Sequence, residues 1–286
     1  MKTKIFLRNI FKLNFFVLIV VLFSFSSCNI IQPNGYYFVS DTISTQNDNP
    51  IEEFEKKALI IYFTGIRCPN CPDAHAELYQ IQSVNPKKVL AIGIHGTSFA
   101  APMPSQGFLT DLRTDVGNEI VATFDVTQIP IGLVNNYEKT GLTMHSGWAD
   151  AVDNELNLEP TIGISIQNNF NTFNNNLEVS LKITSLAQLE NSLKLCVFIL
   201  EDNIITKQKY GITSIDDYVQ KNVFRRTLSN VWGDNIFEEG ADENHEEIIN
   251  FSCSIPQEWK SKDCKIIAFI YDENFRILNV QQEFIE

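Results

Sequence analysis

The stretch Ala58-Leu-Ile-Ile-Tyr-Phe-Thr-Gly-Ile-Arg-Cys68-Pro-Asn-Cys71 decides the fold of the first half of the chain. Residues 58–64 are apolar and rich in β-branched and aromatic side chains, which predicts a buried strand. A helical pattern of apolar residues follows the second cysteine, and residues 89–94 predict another buried strand. The order strand, Cys-x-x-Cys, helix, strand predicts a βαβ unit with the dithiol at the strand-to-helix junction.

The surroundings of the two cysteines favour redox chemistry. Cys68 is predicted to lie where the helix begins, so that unpaired N–H groups and the helix dipole favour its thiolate. Arg67 adds a neighbouring positive charge, and Pro69 suits the first helical position, where an N–H would be unpaired anyway. Cys71, one turn further along, is expected to be buried more deeply and to resolve a mixed disulfide formed by Cys68.

Two other interpretations of this pair stay open. A structural Cys68–Cys71 disulfide is plausible in an oxidising envelope compartment. A metal site is the other, with His75 on the same helical face as Cys71 and a distant His95 completing three ligands. A structural zinc site needs four ligands, and the chain has no second Cys-x-x-Cys or His pair at zinc spacing. We therefore predict no metal and no cofactor, and prefer the redox interpretation.

A proline at the entry of the apolar segment 126–134 extends the redox interpretation. Pro130 cannot donate a hydrogen bond to a strand ladder, so its place there needs a special reason. The pair Ile129-Pro130 resembles, in order and distance, the cis-proline of thioredoxin-like proteins. That proline packs against the Cys-x-x-Cys and leaves the preceding backbone to pair with an extended substrate. The resemblance implies a thioredoxin-like α/β domain over residues 51–157, with a trans-proline at a strand start as the alternative.

The second half of the chain has the periodicity of strands. Apolar and polar residues alternate over residues 162–167 and 177–184, which is typical of strands with one solvated face. Further apolar segments follow with turn signals between them. This pattern predicts an all-β immunoglobulin-like sandwich domain over residues 158–286.

Counting cysteines predicts a second disulfide. Cys253 and Cys264 flank a proline-containing turn, and we expect them to form a structural bridge. Cys196 lies within an apolar strand and is expected to be a buried thiol.

The first 27 residues are predicted to be a lipoprotein signal peptide. A basic start is followed by the apolar run 15–23 and by the small residues that precede Cys28. Phe25-Ser-Ser-Cys28 resembles a bacterial lipobox, in which the cysteine carries acyl chains such as palmitate, and several chains give stable anchoring. Residues 28–50 are polar without periodicity, which predicts a flexible tether. An ordinary signal peptide or anchor with an incidental cysteine is the alternative.

The charge of the chain argues against nucleic acid as a partner. The whole sequence has 35 acidic and 22 basic residues, a net charge of −13. Four of the basic residues lie in the signal peptide, so residues 28–286 carry a net charge of −17. Neutralising phosphates requires clustered Lys and Arg, which this chain lacks.

The combination of these features resembles a known family. The lipobox, the segment Tyr62-Phe-Thr-Gly-Ile-Arg-Cys-Pro-Asn-Cys-Pro72 and the segment 223–233 are similar to the Omp28-related outer-membrane lipoproteins of Bacteroidota. Phe224 stands near a position where this family usually carries His. The resemblance implies an outer-membrane location, and surface adhesion has been suggested for relatives.

Two functions follow from these expectations. The first is a membrane-tethered thiol–disulfide oxidoreductase or dithiol carrier that acts on an envelope protein, with Cys68 attacking, Cys71 resolving and Pro130 shaping the substrate groove. The second is a binding or adhesion lipoprotein in which the disulfide is structural. Residues 29–33 lack the acidic run associated with surface export, so we favour the periplasmic face of the outer membrane.

Overall fold

The computed structural model describes residues 54–286. The predicted signal peptide, the tether and Cys28 lie outside this range. Within residues 54–286 the α-helices are α1 (Cys71–Val84), α2 (Thr97–Ala100), α3 (Asp115–Thr123) and α4 (Trp148–Leu156). The strands are β1 (Ala58–Thr64), β2 (Val89–His95), β3 (Ile131–Val134), β4 (Ile162–Asn171), β5 (Asn176–Ser185), β6 (Leu193–Glu201), β7 (Ile204–Tyr210), β8 (Thr213–Gln220), β9 (Val223–Thr227), β10 (Asp234–Ile236), β11 (Glu246–Ser254), β12 (Cys264–Tyr271) and β13 (Ile277–Phe284).

The predicted βαβ unit is present. Strands β1 and β2 are parallel, with Ala58 opposite Val89 and Thr64 opposite His95, and α1 forms the crossover between them. Strand β3 lies antiparallel on the other side of β1. The first half of the chain is therefore a mixed α/β region, as the sequence predicts.

One large sheet runs through both halves of the chain. Its strand order is β13-β12-β6-β9-β2-β1-β3, and β10 pairs with β6. The two halves of this sheet join where β9 pairs with β2, at one residue pair, Val223 with Gly93. The N–H of Gly93 also donates to the carbonyl of Asn222 at 2.7 Å. The sheet thus crosses the boundary predicted between residues 157 and 158.

The C-terminal half is β-rich and has a second layer. A three-stranded sheet of order β11-β5-β4 packs on one face of the large sheet. Strand β12 shows how the layers are organised, because Ile266 and Ile270 enter the core shared with the three-stranded sheet, whereas Ile267 and Phe269 point to the opposite face. The structure differs here from a separate immunoglobulin-like sandwich, because strands β6, β9, β12 and β13 belong to the same sheet as β1 and β2.

A large apolar cluster joins the two halves. Leu59, Ile61 and Phe63 of β1 share one cluster with Phe198 of β6 and Phe269 of β12. The rings of Phe198 and Phe269 meet edge to face, with centroids 5.4 Å apart. Burying each of these side chains contributes about 1.5–3 kcal/mol, so this shared cluster is a large part of what holds the two halves together.

The predicted Cys253–Cys264 disulfide is wrong. Both thiols are free, and they lie in different sheets. Cys253 is in β11 opposite Leu177, whereas Cys264 begins β12 opposite Glu201. The segment between them crosses from one layer to the other instead of folding back as a hairpin. Cys196 is a buried free thiol, as predicted, and burial raises its pKa well above the ordinary value.

Candidate functional site

The two cysteines of the Cys-x-x-Cys segment form a disulfide at the end of β1. The Cα atoms of Cys68 and Cys71 are 5.5 Å apart. Helix α1 begins at Cys71, so Cys68 precedes the first helical turn, and the proline within that turn is Pro72 instead of the predicted Pro69. The N–H of Cys68 donates to the carbonyl of Gly65 at 3.0 Å, which fixes the turn between strand and helix.

The predicted proline element lies beside this disulfide. The peptide bond between Ile129 and Pro130 is cis. The Sγ atom of Cys68 lies 3.7 Å from the carbonyl oxygen of Ile129. Pro130 is buried, Ile129 is half-buried, and Gln128 is exposed. The cis bond and its place next to the first cysteine are those that the resemblance to thioredoxin-like proteins implies.

Arg67, predicted as a positive charge next to Cys68, makes its hydrogen bonds to the segment around α2. Its Nε donates to the carbonyl of Ala101 at 2.7 Å, and an Nη atom donates to the carbonyl of Ser98. Gly65 permits this arrangement, because a Cβ atom at that position would lie 2.7 Å from backbone atoms of Phe99 and Ala100. The guanidinium therefore holds the segment around α2 against the dithiol turn.

The disulfide is covered, which the sequence argument did not predict. Cys68 is only 1% exposed and Cys71 is fully buried. Strands β7 and β8 form a two-stranded hairpin of their own, and this hairpin contacts the dithiol turn. The N–H of Lys209 donates to the carbonyl of Ile66 at 2.8 Å, and the N–H of Gly211 donates to the carbonyl of Pro69 at 3.0 Å.

One buried amide ties this hairpin to the cysteines directly. The Nε2 atom of Gln208 donates to the carbonyl of Cys68 at 3.0 Å and to that of Gly65 at 3.2 Å. Its Oε1 atom accepts from the amide of Gln220 at 2.9 Å. Gln208 is fully buried and Gln220 nearly so. Nothing in the local sequence signals these roles, because Gln208 lies 140 positions from the cysteine that it contacts.

Both histidines of the metal alternative are buried near this site, but in different surroundings. The Nε2 atom of His75 lies 2.9 Å from Oγ1 of Thr64, and its Nδ1 atom lies 2.8 Å from the hydroxyl of Tyr218. Within residues 54–286, neither ring nitrogen of His95 has a partner in hydrogen-bonding geometry, although the side chain of Gln220 is close enough to interact with the ring. Burial lowers the pKa of His75 to about 4 and that of His95 to about 3.

The described part of the chain offers no metal site. Across residues 54–286, no three His, Cys, Asp or Glu side chains come together in a way that could hold a metal ion.

No helix within residues 54–286 combines the length and apolar character needed to cross a membrane.

Comparison with known proteins gives one family and two related folds. The family model for outer membrane protein Omp28 matches residues 118–286, more than half of the chain. HBP35 of Porphyromonas gingivalis is structurally similar, with a TM-score of 0.65 and 15% identity over 82% of this chain and 76% of that one. A structural genomics target from Agrobacterium tumefaciens gives a TM-score of 0.50 and 11% identity over 82% and 97%. No curated protein matches in sequence. At such identities the two structures show a shared fold alone.

The buried histidines predict that acid destabilises the protein. Their pKa values in the folded state, about 4 and about 3, lie below the ordinary 6.5, so the unfolded chain takes up protons that the folded chain refuses. The free energy of unfolding should therefore fall as the pH drops below about 6.5, by up to about 1.4 kcal/mol per pH unit for each histidine.

Urea unfolding at pH 7 and pH 5 measures this effect. We expect His95→Gln to lose less stability between the two pH values than the unchanged protein loses. His245→Gln, at a partly exposed position, is the matched control and should follow the unchanged protein. Parallel losses in all three proteins would show that His95 is not responsible.

Proposed function

The chain belongs to the outer membrane protein Omp28 family, and from this premise we propose that it is a lipid-anchored envelope protein that carries out thiol–disulfide exchange at Cys68 and Cys71. The observation that carries the proposal is the disulfide itself, placed between the end of β1 and the start of α1 with the Ile129 carbonyl against Cys68. Family membership supports association with the outer membrane. The exchange reaction, the lipid anchor and the periplasmic face are parts of the proposal.

The proposal includes a thioredoxin-like first half. The order β1, Cys-x-x-Cys, α1, β2, followed by the proline before an antiparallel β3, supports this assignment. The two packed β layers of the second half support a sandwich of immunoglobulin-like type, built partly from strands of the shared sheet. We assign the presentation or docking of an envelope partner to this second half.

The proposed reaction exchanges one disulfide for another. A thiolate of a dithiol partner attacks Sγ of Cys68, which forms a mixed disulfide and breaks the Cys68–Cys71 bond. Cys71 leaves as a thiolate and takes up a proton. The second thiolate of the partner then attacks the partner sulfur that is bonded to Cys68, and Cys68 leaves as a thiolate. The partner is thereby oxidised to a disulfide and both cysteines of this chain are reduced, a transfer of two electrons. The reverse sequence reduces a partner disulfide when the protein starts reduced.

The segment before β3 is the proposed substrate contact. Thr127 and Gln128 are exposed, and the Ile129 carbonyl already lies against Cys68. An extended substrate that pairs with the backbone of this segment would bring its own sulfur toward Cys68. Pro130, buried beneath it, shapes the groove.

A second function has one specific observation in its favour. Cys68 is only 1% exposed, which is the environment of a structural disulfide that stabilises a binding or adhesion protein. The two functions differ in thiol reactivity, because a structural disulfide resists exchange whereas a functional one accepts it readily.

Replacing the resolving cysteine tests the exchange proposal. In Cys71→Ser the mixed disulfide at Cys68 has no internal thiol to release it, so adducts with envelope proteins should accumulate. Cys253→Ser, which removes a partly exposed free thiol, is the matched control and should give none. Non-reducing gels and mass spectrometry of the adducts are the measurement. Equal, background-level adducts in both variants would support the structural disulfide instead.

The anchor proposal is tested at Cys28. The apolar run and the Ser-Ser-Cys28 ending predict lipid attachment at this cysteine. We expect Cys28→Ala to leave the membrane fraction for the soluble periplasm or to stay unprocessed. Cell fractionation and the mass of the mature N-terminus report the result. A variant that is cleaved and membrane-bound like the unchanged protein would contradict acylation at this residue.

A further inference from the structure

We propose that the β7–β8 hairpin is a cap that opens as a unit to expose the Cys68–Cys71 disulfide. The contacts of the hairpin are the basis for this motion. Its use as a gate for exchange with a partner rests on the function proposed above. The hairpin pairs with neither the large sheet nor the three-stranded sheet, and it contacts the turn that carries the buried disulfide.

At three buried positions the polarity of the hairpin is the reverse of that of an ordinary surface hairpin. Thr206, Gln208 and Gln220 are buried on its inner side and are hydrogen-bonded to one another through the Gln220 amide. Ile205 and Val219 face each other across the strands on the outer side, where they are 59% and 40% exposed. A half-buried hairpin normally buries its apolar face and exposes its polar one.

This inversion makes separation less costly than separating two apolar faces. Opening the hairpin transfers the amides of Gln208 and Gln220 to water, which replaces their hydrogen bonds. The exposed pair Ile205 and Val219 is in water already and loses nothing. At these positions the hydrophobic effect, which resists the opening of the core, opposes opening only weakly. The ring of Tyr218 against His75 is an apolar contact that opening must also break.

The base of the hairpin is anchored, so the motion is confined to its arm. The N–H of Asn222 donates to Oδ1 of Asp202 at 2.6 Å. The buried ammonium of Lys265 donates to Asp202 at 2.8 Å and to the side chain of Asn222 at 2.7 Å. Asn203 and Asn222, which flank the two strands, both have left-handed backbone, with φ of 57° and 56°. These two positions mark the ends of the moving segment.

The tip of the hairpin holds the dithiol turn closed with few contacts. Gly211 donates to the Pro69 carbonyl, between the two cysteines, and the hydroxyl of Tyr210 donates to Asp73 in the first turn of α1 at 3.1 Å. The second of these bonds is solvent-exposed. Because Gln208 contacts the carbonyl of Cys68 itself, losing its contacts releases the cover at the cysteine that a partner must reach.

Gln208→Glu tests the cap without removing a side chain. A carboxylate oxygen would replace an amide that points at the carbonyls of Gly65, Cys68 and Lys209, so acceptor faces acceptor and the closed state is disfavoured. Reduction of the disulfide by a phosphine at pH 7, followed by alkylation and mass spectrometry, should be at least about tenfold faster than in the unchanged protein. At acidic pH the introduced carboxyl group is protonated and can donate again, so the ratio of the two rates should shrink.

Two further variants complete the test. Gln167→Glu introduces the same charge at an exposed position of β4 and should be reduced at the unchanged rate. Tyr210→Phe removes only the tip contact and is a milder variant should Gln208→Glu fail to fold; we expect a smaller acceleration in the same direction. Circular dichroism confirms folding of each protein. Hydrogen exchange should rise at β7, β8 and the dithiol turn, while β1, β6 and β12 stay protected.

The outcomes separate the cap from the proposed function. Equal reduction rates in Gln208→Glu, Gln167→Glu and the unchanged protein would overturn the cap, as would exchange that rises equally in β1, β6 and β12. The phosphine requires no protein partner, so the cap can stand even if Cys71→Ser captures nothing. In that case the cap is supported and thiol exchange with envelope proteins is contradicted.

Discussion

Strands β1 and β2 are buried at every position. Other parts of the chain must therefore cover both faces of this strand pair, and this constraint organises the rest of the molecule. Helices α1 and α4 cover one face through side chains such as Leu78 and Trp148. The other face shares its core with Phe198 and Phe269, which the second half of the chain supplies. The α/β region alone would leave this second face only partly covered, so its stability depends on strands that come more than 100 residues later.

The same dependence makes the candidate site composite. The first half supplies both cysteines, the proline element and the buried His75. The second half supplies the hairpin residues that cover them, Gln208 and Tyr218 among these. Access to the disulfide is therefore set by a part of the chain that has no role in the chemistry of the sulfur atoms. Thiol–disulfide exchange requires this hairpin to open readily, whereas a structural disulfide requires it to stay closed.

Local patterns predicted local structure well and distant contacts poorly. The apolar run before Cys68 was enough to predict the βαβ unit, because that unit depends on neighbouring residues. The cis bond was predicted from the resemblance of Ile129-Pro130 to the proline element of thioredoxin-like proteins. The Cys253–Cys264 pairing failed because short separation in sequence does not keep two strands in one layer. The continuous sheet and the hairpin over the dithiol depend on contacts across more than 100 residues, such as Gly93 with Val223, for which periodicity contains no information.

The second half of the chain completes both the core and the cover of the disulfide. The most direct test compares residues 54–157, expressed alone, with residues 54–286. We predict that the shorter fragment shows no cooperative thermal unfolding and that a phosphine reduces its Cys68–Cys71 disulfide as quickly as in a short peptide of the same sequence. A fragment that unfolds cooperatively, and whose disulfide is as slowly reduced as in residues 54–286, would contradict the account.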